Sequence, residues 1–332
     1  MALAKVSVIL AVYNGEAFLA RAIESAFGQL SVATEIIAVD DGSTDGTAGV
    51  LRRFGDRIRV ITQSNAGLAA ARNAGVAAST GEYIAFLDAD DVWMAERLAK
   101  TVAPLEASSG VVLAYCDLIP VDDLGVRLAS GYVADDLAHA PTMDELMEGW
   151  WPILPSAVTM RRSTFDECGG FRATFKSAAG FEDTYMWLLA RERGEFAYVN
   201  EALMMYHLTP FVERMRKYAP GFKEFAKLVR HRYGERGQRL VNRNLEVYVW
   251  LLTMRGMRYL RDYDPARARQ AMFCAFRYYP TRATLRRALG TLLPRAAAER
   301  MIKPTLAEIP VPEKLGWAVW PIRRGAIPVD LR

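Results

Sequence analysis

Hydrophobic positions along the first 120 residues change period repeatedly, and each change marks a switch between strand and helix. Val6 to Ala11 is a short β-branched, apolar run. From Ala17 to Gln29 the residues Phe18, Leu19, Ala22, Ile23, Ala26 and Phe27 recur at helical spacing. Glu35 to Val39 reads as the next strand and ends in the turn-rich stretch DDGSTDGT. Thr47 to Phe54 reads as helix, Arg57 to Thr62 as strand, and Leu68 to Ala78 as an alanine-rich helix. Glu82 to Leu87 is a strand running into DADD, and Val92 to Glu106 is helical again, with Asp91 where an N-cap would stand. Strands alternating with helices predict an α/β fold with a mostly parallel sheet covered on both faces. In such sheets ligands bind beyond the carboxyl ends of the strands. Asp40 and Asp41 follow one strand there, and Asp88, Asp90 and Asp91 follow another.

Beyond Tyr206 the pattern changes. From Glu213 to about Arg300, helical segments carry many Arg and Lys residues among Tyr, Phe and Trp, with no β-type alternation. From Lys303 the chain is rich in proline (Pro304, Pro310, Pro312, Pro321 and Pro328), which predicts an extended run. The expected organisation is an α/β domain over 1–210, a basic helical region over 211–303 and an extended tail over 304–332.

Composition adds limits. An apolar fraction of 52% and a charged fraction of 24% over 332 residues are those of a soluble globular chain. No run approaches the ~20 apolar residues of a membrane span; Val111 to Cys116 and Val247 to Met254 stop well short. The N-terminus alternates like a strand and lacks a small-residue cleavage site, so it is not read as a signal peptide. Cys116, Cys168 and Cys274 match no zinc or redox spacing, which suggests isolated thiols in a reducing cytoplasm. Charge is divided unevenly. Residues 1–210 hold 16 of the 42 basic and 28 of the 38 acidic residues, a balance of −12, which leaves +16 for 211–332. One half can hold a cation; the other suits an anionic surface.

The acids suggest a chemistry. A phosphate-rich leaving group needs a divalent cation, and Mg²⁺ or Mn²⁺ prefers carboxylate oxygens. Side chains two apart in an extended stretch point the same way, and Asp88 and Asp90 have this spacing. For DADD taken alone, a helix start with Asp91 as its N-cap is the better reading. A calcium loop beginning at Asp41 would place Ser43, Asp45 and Gly46 correctly, but its twelfth residue is Arg52 where a bidentate Glu belongs.

Several stretches occur in a telling order: VSVILAVYNGEAFLARAIESAFGQ, EIIAVDDGSTDGT, QSNAGLAAARNAGVAASTGEYIAFLDADD, VTMRRSTFDECGGF and GFEDTYMWLLA. Over residues 5–207 this series resembles the inverting family 2 glycosyltransferases of the GT-A fold, a Rossmann-like arrangement that handles nucleotide-diphospho-sugars. The resemblance implies roles. Tyr13 and Asp41 would contact the nucleobase, and Glu16 and Asp40 would line the same pocket. Asn65 and Arg72 would lie near the base and the diphosphate. Asp88 would face the ribose or the cation's water shell, Asp90 would ligate Mn²⁺ or Mg²⁺, and Asp183 would be the catalytic base. Glu182 would sit on the acceptor side, with capping or ion pairing as its alternative. Trp150 and Trp151 could stack on an acceptor sugar or pack in the core. The family often ends its domain in Tyr-Arg-x-His; here Tyr206-His207-Leu208-Thr209 displaces the histidine, and His207 is assigned no role.

The expected function is transfer of one monosaccharide, with inversion, from a nucleotide-sugar (UDP-sugar by family prevalence) to a glycan or lipid-linked acceptor. The setting would be surface polysaccharide or glycolipid synthesis, in the cytoplasm or peripherally on the inner membrane face. The basic region 211–303 could meet an anionic membrane surface or support a homodimer; no nucleic-acid motif accompanies its charge. A sugar-nucleotide nucleotidyltransferase would need a glycine-rich basic loop after the first strand, which AVYNGEAFLAR lacks. A catalytically silent binding module would lose the acids, yet Asp41, Asp90 and Asp183 are all in place.

Overall fold

A computed structural model describes residues 5–121, 127, 131, 138–148, 151–175, 181–207, 211–261, 264–278 and 282–302. The chain alternates β1 (Lys5–Val12), α1 (Leu19–Phe27), β2 (Ala33–Asp40), α2 (Thr47–Arg52), β3 (Arg59–Thr62), α3 (Leu68–Ala77) and β4 (Tyr83–Phe86). It continues through β5 (Val92–Trp93), α4 (Arg97–Ala107), β6 (Val111–Val121), α5 (Met143–Glu148), β7 (Val158–Arg161), α6 (Arg162–Cys168), α7 (Glu182–Arg191) and β8 (Glu195–His207). Four helices follow: α8 (Phe211–Arg261), α9 (Pro265–Tyr278), α10 (Arg282–Gly290) and α11 (Arg295–Ile302).

The eight strands form one mixed sheet in the order β3-β2-β1-β4-β7-β6-β8-β5. Its first four strands are parallel to one another, and β7 then runs antiparallel to both β4 and β6. β1 lies between β2 and β4, covered on both faces, and Val6 through Leu10 are all buried. That is why Val8 to Val12 are apolar without a break, while the buried Ser7 before them donates its hydroxyl to Glu35 Oε1 at 2.7 Å. In α1 the buried residues are Leu19, Ala22, Ile23 and Ala26, one stripe at helical spacing. Because β1 to β4 are parallel, their carboxyl ends open on one edge, and the loops that begin there carry nearly all the acids noted in the sequence.

One predicted element is different. Val92 to Glu106 reads as one helix, but Val92–Trp93 is a short strand pairing with Met204 and Met205 of β8, and the helix begins at Arg97. The Trp93 ring is buried, donates its indole N–H to the Ser156 carbonyl at 2.8 Å, and lies under the Arg97 guanidinium at 4.2 Å. These contacts hold extended a segment whose apolar spacing also suits a helix. Asp91 is therefore no N-cap: its Oδ1 accepts from the His207 backbone N–H at 3.1 Å.

The main hydrophobic core does not stop at residue 210. Phe222, Phe225, Ala226, Val229, Leu240 and Val241 of α8 belong to the same buried cluster as the sheet. α8 breaks at Gly234, whose φ of +56° lies where a side chain would be strained. Ion pairs from α8 support the seam, Arg232 to Glu192 and Arg236 to Asp144. The three cysteines are buried free thiols, and burial pushes those of Cys116 and Cys168 up to about 11. Residues 304–332, the expected extended tail, lie outside the described residues. Among the described residues no helix is long and apolar enough to cross a membrane.

Candidate active site

At the sheet's carboxyl edge, the loop after β1 is fastened to the loop after β2 by its backbone. Asn14 N–H donates to Ser43 Oγ (2.9 Å), Gly15 N–H to Thr47 Oγ1 (2.9 Å), and Glu16 N–H to Asp45 Oδ2 (3.1 Å). Glu16 answers by accepting the Gly46 N–H at 2.9 Å, so its carboxylate belongs to this fastening. Tyr13 stands clear of it, 53% exposed beside the crevice. Asp40 is buried and accepts the Ser43 N–H at 2.9 Å.

Asp41, buried at the same strand end, holds the loop that follows β3. Its Oδ1 accepts from Gln63 Nε2 (2.7 Å) and Ala66 N–H (2.9 Å), and its Oδ2 from Gly67 N–H (2.9 Å). Each carboxylate oxygen has two lone pairs, so Oδ2 keeps one for a further donor. Asn65, in the loop that Asp41 holds, is exposed.

Arg72, on α3, is the centre of the arrangement. It is 2% exposed, and its two Nη atoms donate to Asp88 Oδ1 at 2.6 Å and Glu182 Oε1 at 3.0 Å. One guanidinium therefore ties the D-x-D loop to the start of α7. Burial alone would lower its pKa, but the carboxylates of Asp88, Glu182 and Asp183 outweigh that and hold it above the usual arginine value. Beside it, Asn73 grips Phe171 from both sides, donating to the Phe171 carbonyl (2.7 Å) and accepting its N–H (2.9 Å). Gly170, with φ +69°, comes so close that a Cβ would sit 2.9 Å from Asn73 Oδ1, which accounts for glycine there.

Asp183 follows at the first turn of α7. Burial raises its carboxyl above the ordinary aspartate value, against the pull of Arg72 and the hydrogen bond from its neighbour Thr184 (2.6 Å). Phe181, which precedes the pair, has the left-handed φ of +72°, unfavourable for an aromatic residue. Its ring is held 5.2 Å from Phe222 and 5.1 Å from Phe225 of α8.

On the other side of the D-x-D loop, Ser156 Oγ accepts the Asp88 N–H at 2.9 Å. The Asp90 side chain is 40% exposed, and its Oδ2 lies 3.5 Å from Nδ1 of the buried His207, whose ring packs on Phe18. Among the described residues no three His, Cys, Asp or Glu side chains converge into a complete metal-binding cluster.

The family description "Glycosyl transferase family 2" matches residues 7–179, just over half of the chain, from β1 through α6. The chain belongs to glycosyl transferase family 2. This family 2 protein is 42% identical over 142 residues to an uncharacterized glycosyltransferase of Nostoc, an alignment covering 40% of the chain and 44% of that relative. It therefore spans less than half the length of that relative. It is 35% identical over 205 residues to the putative glycosyltransferase EpsE of Bacillus subtilis, covering 60% of the chain and 71% of EpsE. With the putative teichuronic acid biosynthesis glycosyltransferase TuaG of the same organism it shares 30% over 212 residues, 61% of the chain and 79% of TuaG. Two solved structures share its fold. S. aureus TarS 1–349 in complex with UDP has a TM-score of 0.51 at 18% identity, covering 92% of this chain and 90% of that one. Mannosyltransferase PcManGT from Pyrobaculum calidifontis, in complex with GDP-Man and Mn²⁺, has 0.55 at 17%, covering 97% and 86%.

Two of the acceptor-side candidates, Trp151 and Glu182, are placed as their stated alternatives describe. Trp151 is a core residue, buried, donating to the Tyr115 hydroxyl at 3.1 Å and edge-on to His139, so its ring face is not open to a sugar. Glu182 is 3% exposed and engaged by Arg72, the ion-pair alternative. Trp150 lies outside the described residues. Gln63, Ser156, Phe222 and Phe225 had no signal as single residues, because each acts through a partner at least 22 positions away.

Proposed function

We propose that the protein is an inverting glycosyltransferase that moves one monosaccharide from a nucleoside diphosphate sugar to a glycan or lipid-linked acceptor. The observation that carries this is the Arg72 bridge, which joins Asp88 of the D-x-D loop to Glu182, with the raised carboxyl of Asp183 next in the chain. The bridge sets acids suited to the donor's diphosphate against a base suited to an acceptor hydroxyl. In the reading that follows, Tyr13 covers the nucleobase, Asp41 accepts from it with its remaining lone pair, and Asp40 and Glu16 shape the loops of that pocket. Asn65 stands at its rim, and Arg72 acts on the diphosphate through Asp88. Asp90, with Asp88, would hold Mn²⁺ or Mg²⁺, which supplies positive charge to the departing diphosphate.

Asp183 takes the proton of the acceptor hydroxyl as that oxygen bonds to the anomeric carbon. The bond from that carbon to the diphosphate oxygen breaks with its electron pair, and a single displacement inverts the centre. UDP-sugar is the proposed donor, on family prevalence and on the UDP held by TarS; GDP is the alternative that PcManGT raises. The likeness to the putative teichuronic acid biosynthesis glycosyltransferase TuaG supports surface polysaccharide synthesis as the setting. A lipid-linked acceptor would place the protein peripherally on the cytoplasmic membrane face. Calorimetric titration of UDP, GDP, dTDP and CDP, with and without Mn²⁺, tests this. One nucleotide should bind tightly only with metal, and Asp90→Ala should abolish the binding; no binding under any condition would leave the family's fold without this activity.

A further inference from the structure

The apolar side chains of the last described helices divide three ways, and Cys274 and Ala275 of α9 join the main core. Ala268, Met272, Ala288, Ala298 and Ile302 are buried in a small cluster of their own, with Tyr259 and Phe276 packed on it. Leu285, Leu289, Leu292 and Leu293 remain 38%, 45%, 57% and 43% exposed. Leu285 and Leu289 are one turn apart on α10, away from its buried residues Thr284, Arg287 and Ala288. Arg282 and Arg286, both exposed, share that outer face at the same spacing. Over residues 265–302 the chain has eight arginines and one acid, Glu299.

Such a surface makes two demands, apolar volume for the leucines and negative charge for the guanidinium groups. A second copy of the chain would meet the first but set arginine against arginine. Nucleic acid would meet the second and leave the leucines in water. An anionic bilayer meets both, with leucines at the acyl boundary and arginines among the headgroups. We propose that α10 and the turn after it, through Leu285, Leu289, Leu292, Leu293, Arg282 and Arg286, dock the protein on an anionic lipid surface. The purpose of docking rests on the lipid-linked acceptor proposed above; the docking itself rests on this surface alone.

Flotation of the full chain with phosphatidylcholine vesicles, with and without phosphatidylglycerol, tests it without donor or acceptor. The chain should float with the phosphatidylglycerol vesicles and less so in high salt. The double variant Leu289→Glu, Leu292→Glu should lower partitioning by about tenfold or more, and Arg282→Glu with Arg286→Glu by roughly tenfold or more. These side chains face solvent, so circular dichroism should be unchanged. Equal flotation of the leucine variants, or no dependence on phosphatidylglycerol, overturns the proposal. So does a dimer in sedimentation velocity that the leucine variants split. Nucleotide titration of the same variants separates the two readings, since flotation can fail with nucleotide binding intact, and the reverse.

Discussion

Arg72 concentrates more of the site's electrostatics than any acid around it. It is buried among three carboxylates, and removing it would leave Glu182 buried without its cation, a change that typically costs about 3–5 kcal/mol. Arg72→Met should therefore lower the thermal midpoint strongly, as read by calorimetric unfolding. It should also change the pH profile. As the proposed base, Asp183 would act only when deprotonated, and burial raises its pKa, so kcat/KM should begin to fall at a higher pH than an ordinary aspartate would dictate. Arg72 opposes that rise; without it the acid limb should move further toward neutrality. Asp183→Asn should abolish turnover while leaving nucleotide binding in place, checked by steady-state assay beside calorimetry.

At the scale of elements, the start of α7 is set by another helix. Phe181 holds a backbone conformation that costs a non-glycine residue about 1–3 kcal/mol, and the rings of Phe222 and Phe225 enclose it from α8. Phe225→Ala should cost about 3–5 kcal/mol of stability and lower kcat more than KM, because Asp183 loses its placement; Phe225→Leu should recover part of both. At α5, Thr142 and Glu145 form a reciprocal cap in which each accepts the other's backbone N–H, at 3.2 and 2.8 Å. The Thr142 backbone N–H, with His139 and the Thr142 hydroxyl, lowers the Glu145 carboxyl to about 2 against burial's opposite pull. A depressed carboxylate contributes stability above its unfolded value of 4.5 and loses it as pH falls toward 2. Glu145→Gln should flatten that part of an acid-unfolding curve.

For the molecule as a whole, the acidic sheet and the basic helices share one core through α8. A fragment ending at residue 210 would expose the surface that Phe222, Phe225 and Val229 cover, and such surface drives association. Fragment 1–210 should accordingly be recovered as aggregate, or unfold well below the full chain in light scattering and thermal melts. If the basic end docks on an anionic surface as proposed, that attraction should weaken with salt.

Much of the α/β half was legible because its signals are local. The buried run of β1, the helical stripe of α1 and the acids at the ends of β2 and β4 sit within windows of a dozen residues, where periodicity and turn chemistry act. The helical character of the chain after residue 210 was legible for the same reason. What the tertiary structure decided rests on long-range pairing. Val92–Trp93 became a strand because β8, more than a hundred residues later, offered its edge. Trp151 went to the core because Tyr115 gave its indole a partner there. Glu182 met Arg72 across 110 residues, and Phe181 met two rings from α8. Residue types and spacing determine which chemistry the chain can carry and where strands and helices begin; burial and distant partners determine which of those groups face one another, since desolvation and hydrogen bonding depend on neighbours in space.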